Sequence, residues 1–352
     1  MTRTLKFFEA LREAQDLCMA KDRSVYVAGL GVPDPKGIFG TTLGLKEKYG
    51  SQRVLDMPLS ENAMTGVATG SALVGMRPII THQRLDFAIL AMEQIVNQAA
   101  KWHYMFGGKG RVPLVIRMII GRGWGQGPQH SQSLQSWFAH VPGLRVVMPT
   151  TAHDAKGLLI SSIEDDNPVV FLEHRWLYGI ADEVPEGLYR VPLGKARVVR
   201  PGTDVTLVAT SYMMLEALRA AEVLRDSGIN AEVIDLRSLR PLDEDTILTS
   251  VRKTGRLVVA DTGWKLFGAS GEIVALVAEK AFRDLKSTPA RVALPDLPTP
   301  TSPALSDHFY PRSGEIAAAA LAMFGRECPR SLFDAPKGRR LDQPDSSFTG
   351  PF

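Results

Sequence analysis

The run VPLVIRMII at 112–120 most constrains the fold. It is apolar almost throughout and shows no alternation of polar and apolar positions. Such a strand is buried on both faces, as in a parallel sheet covered by helices on either side. LRVVMP at 144–149 and PVVFLE at 168–173 repeat the pattern, with a helix predicted over 152–164 between them. Upstream, SVYVAG (24–29) and RPIIT (77–81) read as strands, with helices over 60–76, capped by Ser60, and 86–105. Strand–helix alternation at this spacing predicts a doubly wound α/β architecture.

A seam follows. Residues 181–202 hold three prolines, three glycines and no helical period, which reads as a linker. A second α/β unit is expected from DVTLVAT (204–210), with a helix over 212–227 ending at Gly228. Strands follow at 231–239, 256–261 and 290–294, with helices at 243–252, 271–285 and 313–324. The fold class is therefore α/β with two doubly wound domains, 1–190 and 191–325. Residues 326–352 carry four prolines and many charges and are expected to form a loose tail, fit to dock a partner.

Composition narrows the function classes. Lys and Arg number 41 against 38 Asp and Glu, a formal charge of +3, with no basic stripe of the kind that binds nucleic acid or an anionic membrane. The two cysteines, Cys18 and Cys328, are far apart and form no CxxC pair, so a disulfide framework or structural zinc is not expected and a reduced, cytoplasmic setting is. The N-terminal segment mixes Leu5, Phe8, Leu11 and Leu17 with Glu9, Arg12, Glu13 and Asp16, which fits neither a signal nor a transit peptide. No stretch is apolar enough to span a membrane.

Two segments carry chemistry. GRGWGQGPQHSQ at 121–132 places glycines at alternate positions ahead of His130, in a polar context with no apolar periodicity. Such a loop lets backbone approach a ligand closely and present an imidazole. Glu61 in MPLSE lies between an apolar stretch and a helix start. By itself it reads either as a working carboxylate or as a first-turn acid stabilised by the helix dipole by roughly 0.3–1 kcal/mol. The helix after it holds Gly66, Gly70 and Gly75 with Ala63, Ala68, Ser71 and Ala72. Each glycine costs roughly 1 kcal/mol of helix propensity, so close approach of another element is expected there. Asp86 suits an N-cap, and Phe87 reads either as a ring that stacks on a planar ligand or as core. There is no P-loop, no GxGxxG at the head of a helix and no GxSxG elbow.

The stretches MPLSENAMTGVATGSALVGMRPI, DFAILAMEQIVNQAAKWHYMFGG, QHSQSLQSWFAHVPGLRVVMPTTAHDAKGLL, DDNPVVFLEH and VIDLRSLRPLDEDTILTSVRKTGRLVVAD occur in this order. Together they resemble the beta subunit of thiamine-diphosphate-dependent 2-oxo acid dehydrogenases, a branch of the transketolase-like superfamily that includes the first components of pyruvate and branched-chain dehydrogenases. The resemblance implies an N-terminal pyrimidine-binding domain and a transketolase C-terminal-type domain. It implies decarboxylation of a 2-oxo acid and transfer of the acyl group to a lipoyl carrier, with the cofactor carrying the chemistry. Glu61 matches the carboxylate that drives the aminopyrimidine to its imino form. Phe87 and Gln83 match residues beside the pyrimidine, and His130 matches the histidine near the reacting carbonyl. Leu114, Ser162, Ile163, Asp165 and Asn167 match a structural potassium site built largely of carbonyl oxygens. The sequence lacks Gly-Asp-Gly with downstream asparagines. In keeping with that, the resemblance implies that the magnesium diphosphate sits on a separate alpha subunit, in an α2β2 heterotetramer that docks a lipoyl acyltransferase core.

Departures bear on the substrate. Where relatives carry a glutamate and then apolar or aromatic residues, this chain reads THQRL at 81–85, and His82, Gln83 and Arg84 make the pocket wall more polar. Trp124 is bulkier than the usual small loop residue. A ketol or sugar-linked donor is the alternative expectation, as in a split transketolase-like enzyme. A non-catalytic scaffold is a third, against which the joint presence of Glu61, Phe87 and His130 argues.

Overall fold

The computed structural model describes residues 2–123, 126–333, 340–344 and 348. Trp124 and Gly125 lie outside the described residues, as does much of the chain after 333. Contacts divide the chain into two units. One is 1–120 with 137–193, and the other is 121–136 with 194–351. The glycine-rich loop thus groups with the second unit, although it precedes the last strands of the first.

The first unit opens with β1 (Thr2–Lys6) and α1 (Phe7–Lys21), followed by β2 (Val25–Gly29) and β3 (Val54–Asp56). Helix α2 (Glu61–Leu73) leads to β4 (Arg77–His82), and then β5 (Val115–Ile120) and β6 (Arg145–Val147) follow. Helix α3 (Ala152–Glu164), β7 (Val169–His174) and β8 (Ala181–Pro185) complete the unit. Its strands pair in the order β6-β7-β5-β4-β2-β3, all parallel. Every residue of β2, β5 and β7 is buried, as their unbroken apolar runs require. Helix α1 packs on α3, burying Phe7, Leu11, Ala14 and Cys18. Lys156 of α3 is buried with its Nζ 3.1 Å from Glu13, 2.6 Å from the Pro185 carbonyl and 5.0 Å from the centre of the Tyr189 ring.

Three sequence expectations change here. The 181–202 seam is not plain linker. Strand β8 pairs antiparallel with β1, and a strand at 197–200 joins the second sheet. The signal was hidden because β1 is exposed and polar, so it shows no apolar alternation. The long helix expected over 86–105 is interrupted. A short helix at Leu85–Ala88 gives way to a 3-10 turn and then a π-helical stretch at Gln94–Ala99, before regular helix resumes at Ala100–Met105. Such π insertions shift the register of one helix face against the next. Asp86 lies in the first turn of the 85–88 helix, and the N-cap position is Arg84.

The second unit contains β9 (Arg197–Arg200), β10 (Val205–Ala209), α4 (Tyr212–Asp226) and β11 (Ala231–Asp235). Helix α5 (Glu244–Thr254), β12 (Leu257–Trp264), α6 (Ala269–Lys280), β13 (Ala290–Leu294) and α7 (Ser313–Ala322) follow. The sheet order is β13-β12-β10-β11-β9, with only β9 antiparallel. Alternate residues of β10 feed opposite cores. Leu207 and Ala209 pack with α4 and α7 through Met213, Ala217, Ile316 and Ala320. Val208 packs with α5 and α6 through Ile247, Val251, Ile273 and Val277. The tail is not loose at 340–343. Asp342 is 3% exposed, and the Gln343 carbonyl accepts from Arg312 at 2.8 Å. Its anchor is a buried ion pair 220 residues away in sequence, which local composition does not reveal.

Candidate active site

Sheet order fixes where a ligand belongs in the first unit. From β2 the chain runs to β3 on one side and then returns to β4 on the other. The crevice outside the carboxyl ends of strands at such a reversal is where open α/β sheets bind ligands. Here those ends are Gly29 and His82. A β-carbon on Gly29 would lie 2.4 Å from the Thr81 carbonyl oxygen, so only glycine lets the two strands close at this point. Just beyond, Gln83 Nε2 donates to the Leu30 carbonyl at 3.0 Å, and the Gly31 amide donates to the Asp56 carboxylate at 2.9 Å. These bonds tie the ends of β2, β3 and β4 into one rim.

A cleft with about 280 Å³ of empty space, part of it open to solvent, lies on this rim. Glu61, Gln83 and Phe87 line it together with Leu30, Pro58, Met64, Thr81 and His82. The three residues expected at a pyrimidine site therefore converge. Glu61 opens α2 as its first residue. Among the described residues, no protein group hydrogen-bonds that carboxylate, so its oxygens are available to an incoming donor. Thr81 Oγ1 is buried and, among the described residues, lacks a protein partner, a polar atom that a bound ligand satisfies. His82 is buried, with Nε2 3.4 Å from the Thr65 hydroxyl, and burial pushes its imidazole down to about 4. It is neutral at physiological pH and acts as a hydrogen-bonding wall, not as a charge.

Arg84 does not join this wall. Its guanidinium turns to the Phe39 ring, 5.7 Å from the centroid, with that of Arg175 over the same ring at 4.8 Å. Burial, and then the neighbouring Arg175, push Arg84 down to about 10. Sequence adjacency to Gln83 suggested the cleft. The chain has left β4 by this point, and Arg84, at the N-cap position of the 85–88 helix, points its side chain away from the cleft. Leu30 and Thr81 were not singled out from sequence. The signal for both was their place at the ends of two buried strands.

His130 is exposed and belongs to the second unit, its amide donating to the Gly127 carbonyl at 3.2 Å. The segment that bears it is held firmly on either side. Upstream, Arg122 donates to the Pro300 and Thr301 carbonyls at 2.8 and 3.0 Å. A β-carbon on Gly127 would fall 2.1 Å from Thr301 Oγ1. Downstream, Gln135 Nε2 donates to Asp261 at 2.6 Å. Asp261 also accepts from the amides of Gly263 and Ser270, and burial raises its carboxyl above the usual range.

The residues matched to a cation site gather at the opposite, amino end of the first sheet. The Leu114 carbonyl accepts from the Val169 amide at 2.8 Å. Those of Ile163 and Asp165 accept from Arg77 at 3.0 and 3.1 Å. Asp165 Oδ1 accepts from the Asn167 amide and side chain at 2.8 and 2.7 Å, and its Oδ2 lies 3.0 Å from Arg145 Nε. Ser162 Oγ instead donates back to Leu158 at 2.7 Å. Each carbonyl keeps a second lone pair. Among the described residues, no cluster of three or more His, Cys, Asp or Glu forms a metal site.

Comparison with known proteins identifies the two domains and the family. Residues 3–180 match the transketolase pyrimidine binding domain, and 194–316 match the transketolase C-terminal domain. The class is thus that of transketolase-like two-domain chains. The chain is 47% identical over 330 residues to the beta subunit of acetoin:2,6-dichlorophenolindophenol oxidoreductase of Cupriavidus necator, covering 91% of this chain and 97% of that one. It is 42% identical over 311 residues to the pyruvate dehydrogenase E1 component beta subunit of Rickettsia felis, covering 88% and 95%. A solved structure described as a split gene transketolase, an inactive beta4 tetramer, superposes with a TM-score of 0.75 over 92% of this chain and 99% of its own, at 23% identity, and supports the fold. The chain belongs to the family of thiamine-diphosphate-dependent dehydrogenase E1 beta subunits.

Proposed function

We propose that this chain supplies the pyrimidine half of a thiamine-diphosphate site, completed by an alpha subunit that holds the magnesium diphosphate. The assembly decarboxylates a 2-oxo acid and passes the acyl group to a lipoyl carrier. The observation that carries this reading is the convergence of Glu61, Gln83 and Phe87 on one cleft at the strand-order reversal. The orphaned hydroxyl of Thr81 supports the fit of a polar, planar ring there. When bound, the cofactor supplies a nucleophilic carbon and an electron sink. Glu61, the first residue of α2, holds the proton relation at the ring nitrogen. Gln83, already tied to Leu30, fixes the rim. Phe87 covers the ring face and excludes water. His130 acts as the proton-handling group at the reacting carbonyl.

The partner reading draws support from α2. Val67 and Val74 are 62% and 81% exposed, Leu59 just before the helix is 78% exposed, and a β-carbon on Gly70 would meet nothing within 4 Å. An apolar, small-residue face of this kind fits another subunit, as in an α2β2 assembly that docks a lipoyl acyltransferase core. We assign a structural potassium ion to the second lone pairs of the Leu114, Ile163 and Asp165 carbonyls, alongside Ser162 and Asn167. Two free cysteines support a reducing, cytoplasmic setting. Among the described residues, no helix is long and apolar enough to cross a membrane.

A second reading concerns the donor. The 47% relative is named for acetoin, and the cleft wall is polar at Thr81, His82 and Gln83. Both features favour a vicinal ketol over pyruvate. The test is to express the chain with its alpha subunit and follow reduction of 2,6-dichlorophenolindophenol with pyruvate, branched 2-oxo acids and acetoin in turn. Glu61→Gln is expected to lose about 10²–10⁴-fold in kcat with the assembly intact. Full turnover by that variant overturns the role of Glu61, and the preferred donor decides between the two readings.

A further inference from the structure

The second unit holds a buried ion pair that no part of the proposed reaction uses. Arg122 is 2% exposed, and Asp342, beyond the end of the matched C-terminal domain at 316, is 3% exposed. Arg122 Nη2 lies 3.1 Å from Asp342 Oδ2. The same oxygen accepts from Ser306 Oγ at 3.0 Å, and Arg340 donates to both carboxylate oxygens at 2.9 and 2.7 Å. Arg122 also donates to the Pro300 and Thr301 carbonyls. Thr301 in turn backs Gly127, whose carbonyl accepts from the His130 amide. An unbroken chain of contacts thus runs from the C-terminal segment to His130.

A buried guanidinium keeps its place only while its charge is balanced. Two neutral carbonyls do not balance it. Arg340, a second cation on the same carboxylate, is half-buried and reaches water, whereas Arg122 does not.

We propose that residues 340–343 form a strap in which Asp342 is a positioning residue. It neutralises Arg122 and so fixes the backbone of residues 126–132 that presents His130. The inference rests on the catalytic reading of that histidine only for its effect on turnover. The same contacts explain why Asp342, a charged side chain beyond the matched domain, is buried at all. Among the described residues, Asp342 is the one that brings a carboxylate to Arg122, and the Gln343 carbonyl pins the next residue through Arg312 at 2.8 Å.

The experiment compares wild type, Asp342→Asn, Asp342→Glu and a chain ending at residue 339, each assembled with the alpha subunit. Amide hydrogen exchange is read over 126–132 and over β10 and β11 as an internal control. Asp342→Asn and the shortened chain are expected to speed exchange at 126–132 about tenfold or more while the control strands stay unchanged. Asp342→Glu is expected to restore much of the protection. kcat is expected to fall about 10–100-fold, with little change in the cofactor concentration needed for half-activity. Unchanged exchange at 126–132 overturns the proposal. So does a uniform rise across the unit, which marks general destabilisation. If Asp342→Asn does not fold, the shortened chain, which removes the carboxylate with its strap, decides the point by the same measurement. Exchange is read without turnover, so the strap is judged separately from the chemistry. A fully active His130→Ala variant overturns the histidine's role and leaves the strap standing.

Discussion

Gly29 and Thr81 close the carboxyl ends of two adjacent strands so tightly that a β-carbon on the first would come within 2.4 Å of the carbonyl oxygen of the second. The obstacle is backbone, which cannot swing aside as a side chain can. Gly29→Ala must therefore push β2 from β4 at the cleft. The expected cost is about 1–3 kcal/mol of stability, read by urea unfolding. A larger proportional loss of thiamine diphosphate affinity in the assembled enzyme is expected beside it, read by titration. Unchanged affinity in a folded variant overturns the placement of the cofactor at this rim.

His82 gives the chain a pH dependence of defined sign. Its imidazole titrates near 6.5 when free and about 4 when folded, because burial disfavours the cation. As pH falls, the unfolded chain takes up the proton first. The contribution from keeping the ring neutral is whole above pH 6.5 and is lost progressively between 6.5 and about 4, on the order of 3 kcal/mol in all. His82→Phe is expected to flatten the stability profile across that window and leave it unaltered above pH 7. Parallel profiles for the two proteins refute the assignment.

Arg117 and Glu173 form a fully buried pair across β5 and β7, with Nε and Nη2 at 2.6 and 2.9 Å from the two carboxylate oxygens. Gln15 accepts a further Arg117 hydrogen at 3.0 Å, and Tyr178 donates to Glu173 at 2.5 Å. Every polar atom is spoken for, so removing one member strands the other. Glu173→Leu is expected to destabilise the chain by about 3–5 kcal/mol in chemical denaturation, and Arg117→Leu added to it to recover part of that loss. Additive losses contradict the coupling.

The carbonyl cluster around Asp165 predicts a cation effect on stability, not on chemistry. It lies at the amino ends of β5 and β7, whereas the cleft lies at the carboxyl ends of β2 and β4. The melting temperature is expected to rise by a few degrees in potassium relative to lithium at equal ionic strength. Arg77→Met is expected to deepen that dependence, because Arg77 shares the Ile163 and Asp165 carbonyls. Identical melting in both salts removes the site from the account.

Much of the framework was legible in the sequence. The strand at 290–294 has the expected bounds, and the apolar cores of β5, β7 and β10 differ from expectation by a few residues at most. Three side chains expected to share a pocket, Glu61, Gln83 and Phe87, do so. What escaped was whatever depends on a partner distant in the chain. Strand β1 is polar and gains its place only by pairing with β8. The π-helical stretch at 94–99 answers the packing of neighbouring elements, with Gln94 against Gly66, and leaves no mark in the 3.6-residue pattern.

The sequence by itself determined that the chain forms buried parallel strands alternating with helices, and that an acid stands at the head of one of them. Both are written in the identities of near neighbours, because burial and helix entry are local choices. Only the tertiary structure decided that Leu30 and Thr81 meet at one rim, that Arg84 turns from it to Phe39, and that Asp342 reaches Arg122. Those outcomes follow from the order in which strands pair and from the need of a buried charge for its counter-charge. Neither condition is satisfied by residues adjacent in the chain.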